Sequence, residues 1–280
     1  MSTKDLSLDE IYKLAKNVML ANGCDTANAE ALADIICRAE RDGSHSHGLF
    51  RLPGYVKALR SGKVDGKAKP TVKNLTPAVI QVDGNGCFAP LAQAVGLPLL
   101  ADAAGEIGIA ALSLIGIHHF AALWPETEYM ADRGFVGLAC TAYMPMVAPA
   151  GSKEALFGTN PICFGTPTSS KIPFILDTSI SMINRGKIRV AARNNKKIPD
   201  GVALDRFGKS TTNAKKALKG VQLPIASFRG SGLAWMVDIL SGVLTGGNHA
   251  GRVKDPFDDF TGPQNIGHLF ITFKTNLFVK

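Results

Sequence analysis

The N-terminal part of the chain places apolar residues at the spacing of α-helices. Ser7-Leu-Asp-Glu10 has the form of a capping box, in which the serine oxygen caps the first turn and the glutamate reaches back. Apolar residues then recur every three or four positions up to Gly23, and a second such run extends from Ala29 to Gly43. The pattern therefore predicts two amphipathic helices, each followed by a glycine.

After residue 75 the chain changes to short apolar runs that are rich in β-branched residues and bounded by turn residues. These runs predict strands over residues 78–84, 109–117, 135–142, 160–166, 173–179 and 267–273. Helical patterns cover residues 91–108, 125–134 and 231–247, and the last is so apolar that we expect it to be buried.

Residues 53–75 are rich in Gly, Pro and Lys, which is typical of a link between two parts of a fold. The sequence thus predicts an α/β protein with a helical N-terminal domain, residues 1–75, and an α/β domain, residues 76–280.

Composition limits the class of protein. With 46% hydrophobic and 19% charged residues, the chain is typical of a soluble globular protein. It contains no apolar run of about 18 residues, and its first residues are polar, so neither a membrane span nor a secretory signal is predicted. The five cysteines include no C-x-x-C pair, which favours reduced thiols and a cytoplasmic location.

The formal net charge of +8 favours an anionic partner. The densest cationic cluster, residues 185–197, would place Arg185, Arg189 and Arg193 on one helix face. A solvated face is the favoured interpretation, because stacking aromatic residues do not accompany the arginines as they do in nucleic-acid binders. We expect a small anionic substrate and neither a nucleic-acid nor a membrane partner.

The stretch RDGSHSHGLFRLPGY, residues 41–55, carries the main candidate chemistry. If HGLFR forms a helical turn, His47 and Arg51 share one face. Histidine can donate a proton near neutral pH, and arginine can bind a carboxylate through two parallel hydrogen bonds. This pair is the minimum needed to reduce C=O or C=N beside a carboxylate, although the spacing equally allows a structural pair.

A second motif, VIQVDGNGCFA, has the outline of a dinucleotide fingerprint, with Gly84-x-Gly86-x-x-Ala89 after a predicted strand. The fingerprint also needs an acidic residue about 20 positions later, at the end of a second strand. Asp102 has that spacing but lies inside a predicted helix. A tight turn that needs glycine is therefore the favoured interpretation.

The paired histidines allow two further hypotheses. A metal-dependent hydrolase would draw three ligands from the four histidines His45, His47, His118 and His119. Adjacent histidines do not easily share one ion, and no acidic residue flanks either pair as an obvious ligand. A serine nucleophile at Ser46 is disfavoured because GSHSHG lacks the form G-x-S-x-G.

Five segments together resemble the malate/L-lactate dehydrogenase family of NAD(P)-dependent oxidoreductases, over nearly the whole chain. They are RDGSHSHGLFRLPGYV, IGIHHFAALWPETEYMA, LFGTNPICFGTP, ILDTS and SGLAWMVDILSGVLTGG. The form HHFAALWP is closer to the branch that reduces Δ1-piperideine-2-carboxylate and Δ1-pyrroline-2-carboxylate. Members on the malate and ureidoglycolate side more often have H-F-G there.

The resemblance implies a role for each matching residue. His47 would be the proton donor, Ser46 would polarise it, Arg51 would hold the substrate carboxylate, and Thr159 would add a substrate hydrogen bond. The cofactor contacts would be His119, Phe120, Ala121, Ala122, Leu123, Asp177, Thr178 and Ser179.

The resemblance also implies a homodimer with a non-Rossmann, mostly antiparallel sheet that binds NADP(H) rather than NAD(H). The expected reaction is hydride transfer between the cofactor and C2 of a small 2-imino acid, a cyclic one above all, or of a 2-oxo carboxylate. A malate- or lactate-type 2-hydroxy acid dehydrogenase and a catalytically inactive dimeric relative remain alternatives.

Three positions depart from the pattern of the family. Lys187 stands where the imine-reductase branch has an aspartate that completes the Ser–His relay, and it matches the oxo-acid branch. The cofactor turn, usually D-M-A, is Asp177-Thr178-Ser179. The family continues beyond the last strand with helices and a further cofactor contact, whereas this chain ends at Lys280. We therefore expect weakened cofactor binding and exposed apolar surface.

Overall fold

The computed structural model describes residues 5–119, 121–253, 255 and 264–277. Its helices are α1 (Leu8–Ala21), α2 (Thr26–Arg41), α3 (Leu52–Arg60), α4 (Ala89–Ile107), α5 (Trp124–Ala131), α6 (Arg185–Arg193), α7 (Ala214–Ala217) and α8 (Phe228–Asp238). Its strands are β1 (Thr71–Thr76), β2 (Val79–Asp83), β3 (Ile109–Ile117), β4 (Phe135–Thr141), β5 (Ile162–Thr166), β6 (Phe174–Thr178), β7 (Ala203–Leu204), β8 (Val221–Gln222) and β9 (Ile266–Lys274).

The N-terminal helices form as the apolar pattern predicts. The capping box of α1 is confirmed, because the Glu10 amide donates to Ser7 Oγ at 3.2 Å and the Ser7 amide donates to the Glu10 carboxylate at 2.8 Å. The buried faces of α1, α2 and α3 share one apolar cluster with Phe88, which precedes α4. That cluster attaches the helical region to the sheet.

Seven strands form one sheet in the order β1-β2-β3-β9-β4-β5-β6. Only β2 and β3 pair in parallel among these strands, so the prediction of a mostly antiparallel sheet in an α/β fold is confirmed. The six predicted strands correspond to β2 through β6 and β9. The last strand of the chain enters the middle of the sheet, and β4 and β5 follow it outward to β6.

The interpretation of residues 53–75 as a link is wrong, because they contain most of α3 and most of β1. Every residue of β1 is exposed. Because this edge strand has no buried face, its sequence does not need the alternation of apolar and polar residues by which a strand is predicted. Pairing of β1 with β2 makes the sheet begin at Thr71, before the predicted boundary at residue 75. The division into two domains stays a prediction.

The expectation that residues 231–247 are buried is also wrong. Helix α8 continues as a π-helix, Ile239–Val243, and only one side of this element packs against the body of the protein. Large apolar side chains are exposed on it: Phe228, Leu233, Trp235, Met236, Ile239, Val243 and Leu244. No helix among the described residues has the length and apolar character needed to cross a membrane.

Candidate active site

The structure brings the predicted substrate residues together. Helix α2 ends at Arg41, Gly43 turns the chain with a φ of +69°, and a 3₁₀ turn over Leu49–Arg51 follows. This path places Ser46, His47 and Arg51 on the wall of a cavity of about 160 Å³. Thr159, distant in sequence, lines the same cavity.

His47 is held by hydroxyl groups on one ring nitrogen. The Oγ atoms of Ser46 and Ser44 lie 3.1 and 3.2 Å from His47 Nδ1, which leaves Nε2 as the nitrogen that can face a substrate. Burial, together with the nearby charge of Arg51, lowers the pKa of His47 to about 4. The imidazole is therefore neutral at neutral pH. Ser44 is a neighbour of His47 that the sequence analysis missed.

Arg51 is fixed by its own loop. Its Nε donates to the backbone carbonyl of Ser46 at 2.7 Å, so the guanidinium and the His47 loop are positioned together. Arg51 is half-buried, and the planar fork of a guanidinium matches the geometry of a carboxylate.

The predicted cofactor residues border a second, larger space. A groove of about 620 Å³ is lined by Ala122, Leu123, Asp177, Thr178 and Ser179, as well as by His47 and Thr159. The groove and the cavity thus meet at His47, Thr159 and Asn184. A ligand in the groove would lie directly beside a ligand in the cavity. Phe120 lies outside the described residues.

Asp177 connects the two segments that line the groove. Its carboxylate, on β6, accepts the backbone N–H groups of Leu123 and Trp124, at the start of α5. An anionic group at a helix N-terminus satisfies amides that have no partner within the helix. Burial nevertheless raises the pKa of Asp177 to about 6. In the described contacts Asp177 holds the segment that was predicted to bind the cofactor.

The predicted cofactor segment has an unusual backbone. His119 and Ala121 have φ values of 46° and 64°, in the left-handed region that residues other than glycine rarely adopt. Three contacts hold His119: its Nδ1 lies 3.2 Å from Tyr55 Oη, the Ala121 amide donates to the same nitrogen, and its own amide donates to Gln264 Oε1 at 3.0 Å. Both residues line the substrate cavity rather than the groove.

The cavity also contains residues that the sequence analysis did not assign to it. Its described lining includes Tyr143, Asn184, Arg185, Arg189 and Asp255. The spacing of the two arginines was visible in the sequence, but it was interpreted as a solvated helix face. Helix α6 begins beside the cavity because Asn184 caps it, accepting the amide of residue 187 at 2.7 Å. Lys187 itself is exposed and lines neither space.

The Gly84–Ala89 segment is a structural turn in the described contacts. A Cβ atom on Gly84 would lie 2.6 Å from a methyl carbon of Ile117, and Gly86 has a φ of +87°. The Gly86 amide donates to the carbonyl of Gly116 at 2.7 Å, which joins this turn to the end of β3. The segment lines neither the cavity nor the groove.

The metal hypothesis has no support in the part of the chain that the structure describes. No group of three or more His, Cys, Asp or Glu side chains is arranged there to hold an ion. His45 pairs with Glu40 on the surface, and His119 contacts Tyr55 in the interior.

Comparison with known proteins finds similarity over almost the whole chain. The model of the malate/L-lactate dehydrogenase family matches residues 6–280. A Δ1-pyrroline-2-carboxylate reductase 1 of Burkholderia ambifaria is 41% identical over 275 residues, which cover 98% of this chain and 81% of that protein.

Two solved structures have the same architecture. The Δ1-piperideine-2-carboxylate reductase of Pseudomonas syringae superposes with a TM-score of 0.93 at 38% identity, covering 98% of this chain and 83% of that one. The sulfolactate dehydrogenase of Methanocaldococcus jannaschii superposes with a TM-score of 0.90 at 31% identity, covering 98% and 79%.

Proposed function

Because this chain belongs to the malate/L-lactate dehydrogenase family of nicotinamide-dependent oxidoreductases, we propose that it reduces a small cyclic 2-imino carboxylate at C2. The observation that carries the proposal is the meeting of the cavity and the groove at His47, Thr159 and Asn184. The candidate proton donor borders both spaces, and the candidate carboxylate-binding arginine borders the cavity. Of the predicted cofactor contacts, Ala122, Leu123 and residues 177–179 border the groove, whereas His119 and Ala121 border the cavity.

The residues of the cavity divide the work between binding and proton transfer. The Arg51 guanidinium binds the substrate carboxylate, and Thr159 adds a hydrogen bond that orients the ring. The bound carboxylate offsets the charge of Arg51, which is one of the two causes that lower the pKa of His47. Substrate binding thereby opposes the smaller of the two causes, burial being the larger, and this favours an imidazolium that can donate from Nε2 to the imine nitrogen.

The groove fits a nicotinamide cofactor by size and position, and such a cofactor would supply the hydride. Ala122, Leu123, Asp177, Thr178 and Ser179 would hold it, together with His119, Phe120 and Ala121 of the neighbouring segment. We propose NADP(H) rather than NAD(H) as the cofactor. The net charge of +8 supports this choice, because NADP(H) carries one more phosphate group. The predominance of antiparallel pairs in the sheet supports a non-Rossmann mode of binding. A cytoplasmic location remains a prediction from the scattered cysteines.

Imine and ketone substrates are separated by one experiment. We expect a higher kcat/KM for Δ1-piperideine-2-carboxylate than for oxaloacetate on one preparation, and a higher one with NADPH than with NADH. The reason is the HHFAALWP segment, part of which borders the cavity, while Lys187, the residue that matches the oxo-acid branch, is exposed outside it. Steady-state rates from NADPH absorbance measure both ratios.

Each alternative gives a different result in the same assay. A clear preference for oxaloacetate would assign the chain to the 2-hydroxy acid dehydrogenases. Tight NADPH binding, measured by fluorescence, without turnover of any substrate would support an inactive relative. Hydrolytic activity that a chelator abolishes would support the metal-dependent hydrolase instead.

We also propose that the chain forms a homodimer, and the exposed apolar side of α8 and its π-helical extension supports this. Val243 and Leu244 are 65% and 66% exposed, on an element that carries five more exposed large apolar residues. Contiguous apolar surface of this kind is typical of protein interfaces.

We expect the double variant Val243→Lys/Leu244→Lys to sediment as a monomer at concentrations where the unchanged chain is a dimer. A buried lysine charge opposes association, whereas an exposed one does not. Phe207→Lys is the matched control, because Phe207 is 66% exposed elsewhere on the surface. A monomeric unchanged chain at micromolar concentration in sedimentation velocity would contradict the proposal.

A further inference from the structure

The described residues that line the cavity carry more positive than negative charge. Among the described residues that line it, three guanidinium groups stand beside one carboxylate: Arg51, Arg185, Arg189 and Asp255. Burial lowers the pKa values of His47 and His119, so neither imidazole adds a negative or a positive charge at neutral pH. The described lining therefore has two more positive than negative charges.

A cyclic 2-imino monocarboxylate does not balance this charge. Its carboxylate binds Arg51, and when its ring nitrogen is protonated the substrate has no net charge at all. Asp255 then opposes the charge of only one of the two α6 arginines, in a partly enclosed space where charges interact more strongly than in water.

Both arginines line the cavity, although their mutual repulsion destabilises the helix that carries them. They are four residues apart on α6, where like charges repel, and burial and Arg189 together lower the pKa of Arg185. Arg185 is half-buried, and its Nη2 donates to the carbonyl of Leu218 at 2.9 Å, which fixes the direction of the guanidinium. Arg189 is exposed at the rim and forms no ion pair with any described residue.

We infer that Arg185 and Arg189 form a second anion subsite, and that the preferred substrate is a cyclic 2-imino acid with a second carboxylate on its ring. Arg51 binds the carboxylate beside the reacting carbon, and the α6 arginines bind the distal one. The inference rests on the proposed function for the reaction at C2, but it goes beyond the monocarboxylates in the names of the two reductases reported above. The other source of a suitable anion is a phosphate of the cofactor, and the experiment distinguishes the two.

The test compares Δ1-piperideine-2-carboxylate with Δ1-piperideine-2,6-dicarboxylate, using NADPH and the whole chain. We expect the dicarboxylate to have the higher kcat/KM. Arg189→Gln should shift the ratio of the two KM values by at least about tenfold against the dicarboxylate, because hydrogen bonds between charged groups are among the stronger ones. Lys187→Gln is the matched control: it removes one positive charge from the same helix, outside the cavity, and should leave the ratio unchanged.

Binding of unreactive analogues separates this inference from the proposed function. Pyrrole-2-carboxylate and pyrrole-2,5-dicarboxylate, titrated into the chain and followed by tryptophan fluorescence, should differ in affinity in the same direction, and Arg189→Gln should abolish the difference. If that pattern holds while no imine is reduced, the proposed function fails and the subsite stands. Equal effects of Arg189→Gln on mono- and dicarboxylates, or a loss of NADPH affinity instead, would overturn the subsite.

Discussion

His47→Ala is expected to lower kcat by about 100- to 10,000-fold, the range that general acid catalysis usually contributes. Of the described residues that border both the cavity and the groove, His47 is the one with a titratable side chain, and we propose that it donates the proton when substrate is bound. The dissociation constant of NADPH should hardly change, because the predicted cofactor segments are held by Asp177 and by the contacts of His119. Steady-state kinetics and a fluorescence titration measure the two quantities separately.

The pH dependence gives a second measurement of the same role. A proton donor is active only while protonated, so kcat of the unchanged chain should fall as the pH rises through the pKa that His47 has in the complex. Burial and the charge of Arg51 lower the pKa of His47 to about 4, and the substrate carboxylate opposes the part that Arg51 contributes. The fall that belongs to His47 should be absent in His47→Ala.

Two neighbouring variants serve as controls. Ser46→Ala should lower kcat less than His47→Ala does, because Ser44 also reaches Nδ1. His45→Ala should behave like the unchanged chain, since His45 is on the surface beside Glu40. Near-normal kcat in a folded His47→Ala protein would show that His47 is not the proton donor. A loss of thermal stability with unchanged kinetics would assign it a structural role.

Arg51→Lys is expected to raise KM for the imino acid by about 10- to 100-fold even though the charge is kept. An ammonium cannot form the two parallel hydrogen bonds that a guanidinium makes with a carboxylate. The substitution also removes the bond from Nε to the Ser46 carbonyl, so kcat should fall as well, because the loop that carries His47 loses an anchor.

Arg60→Lys is the matched control for Arg51→Lys. Arg60 is exposed at the end of α3, bonds to Asn22, and lies outside the cavity. The Arg60→Lys variant should have the same KM for the imino acid as the unchanged chain. If Arg51→Lys also leaves KM unchanged, the substrate carboxylate binds elsewhere, and the α6 arginines become the leading candidates.

The parts of the fold that local patterns determine could be predicted from the sequence. The capping box of α1 and the six apolar strands are examples, because each depends on residues that are near one another in the chain. Strand β1 could not be predicted, and the apolar pattern alone could not show which side of α8 is exposed. An exposed edge strand has no apolar face, and an apolar helix pattern does not indicate on which side the protein body lies.

The candidate site also has one part that could be predicted from the sequence and one part that could not. His47 and Arg51 are four residues apart, so their shared cavity could be expected from a turn. The approach of Arg185 and Arg189 to that cavity depends on how α6 packs, and the contacts of His119 with Tyr55 and Gln264 join residues 64 and 145 positions apart. No local spacing contains such information. The family resemblance predicts roles for Thr159 and for the cofactor segments, but it does not point to the α6 arginines.

The backbone at Ala121 has a consequence for engineering the enzyme. Members of the family on the malate side more often have glycine in the corresponding H-F-G, and glycine tolerates the left-handed conformation that Ala121 adopts here with a φ of 64°. The alanine methyl is almost completely buried and borders the substrate cavity. A residue other than glycine in this conformation costs on the order of 1 kcal/mol. The alanine methyl group, in turn, fills space in the wall of the cavity. Position 121 is therefore the first position to vary in a library designed to change the preference between cyclic imines and open-chain oxo acids. A substitution there changes both the conformation of the loop and the shape of the cavity wall.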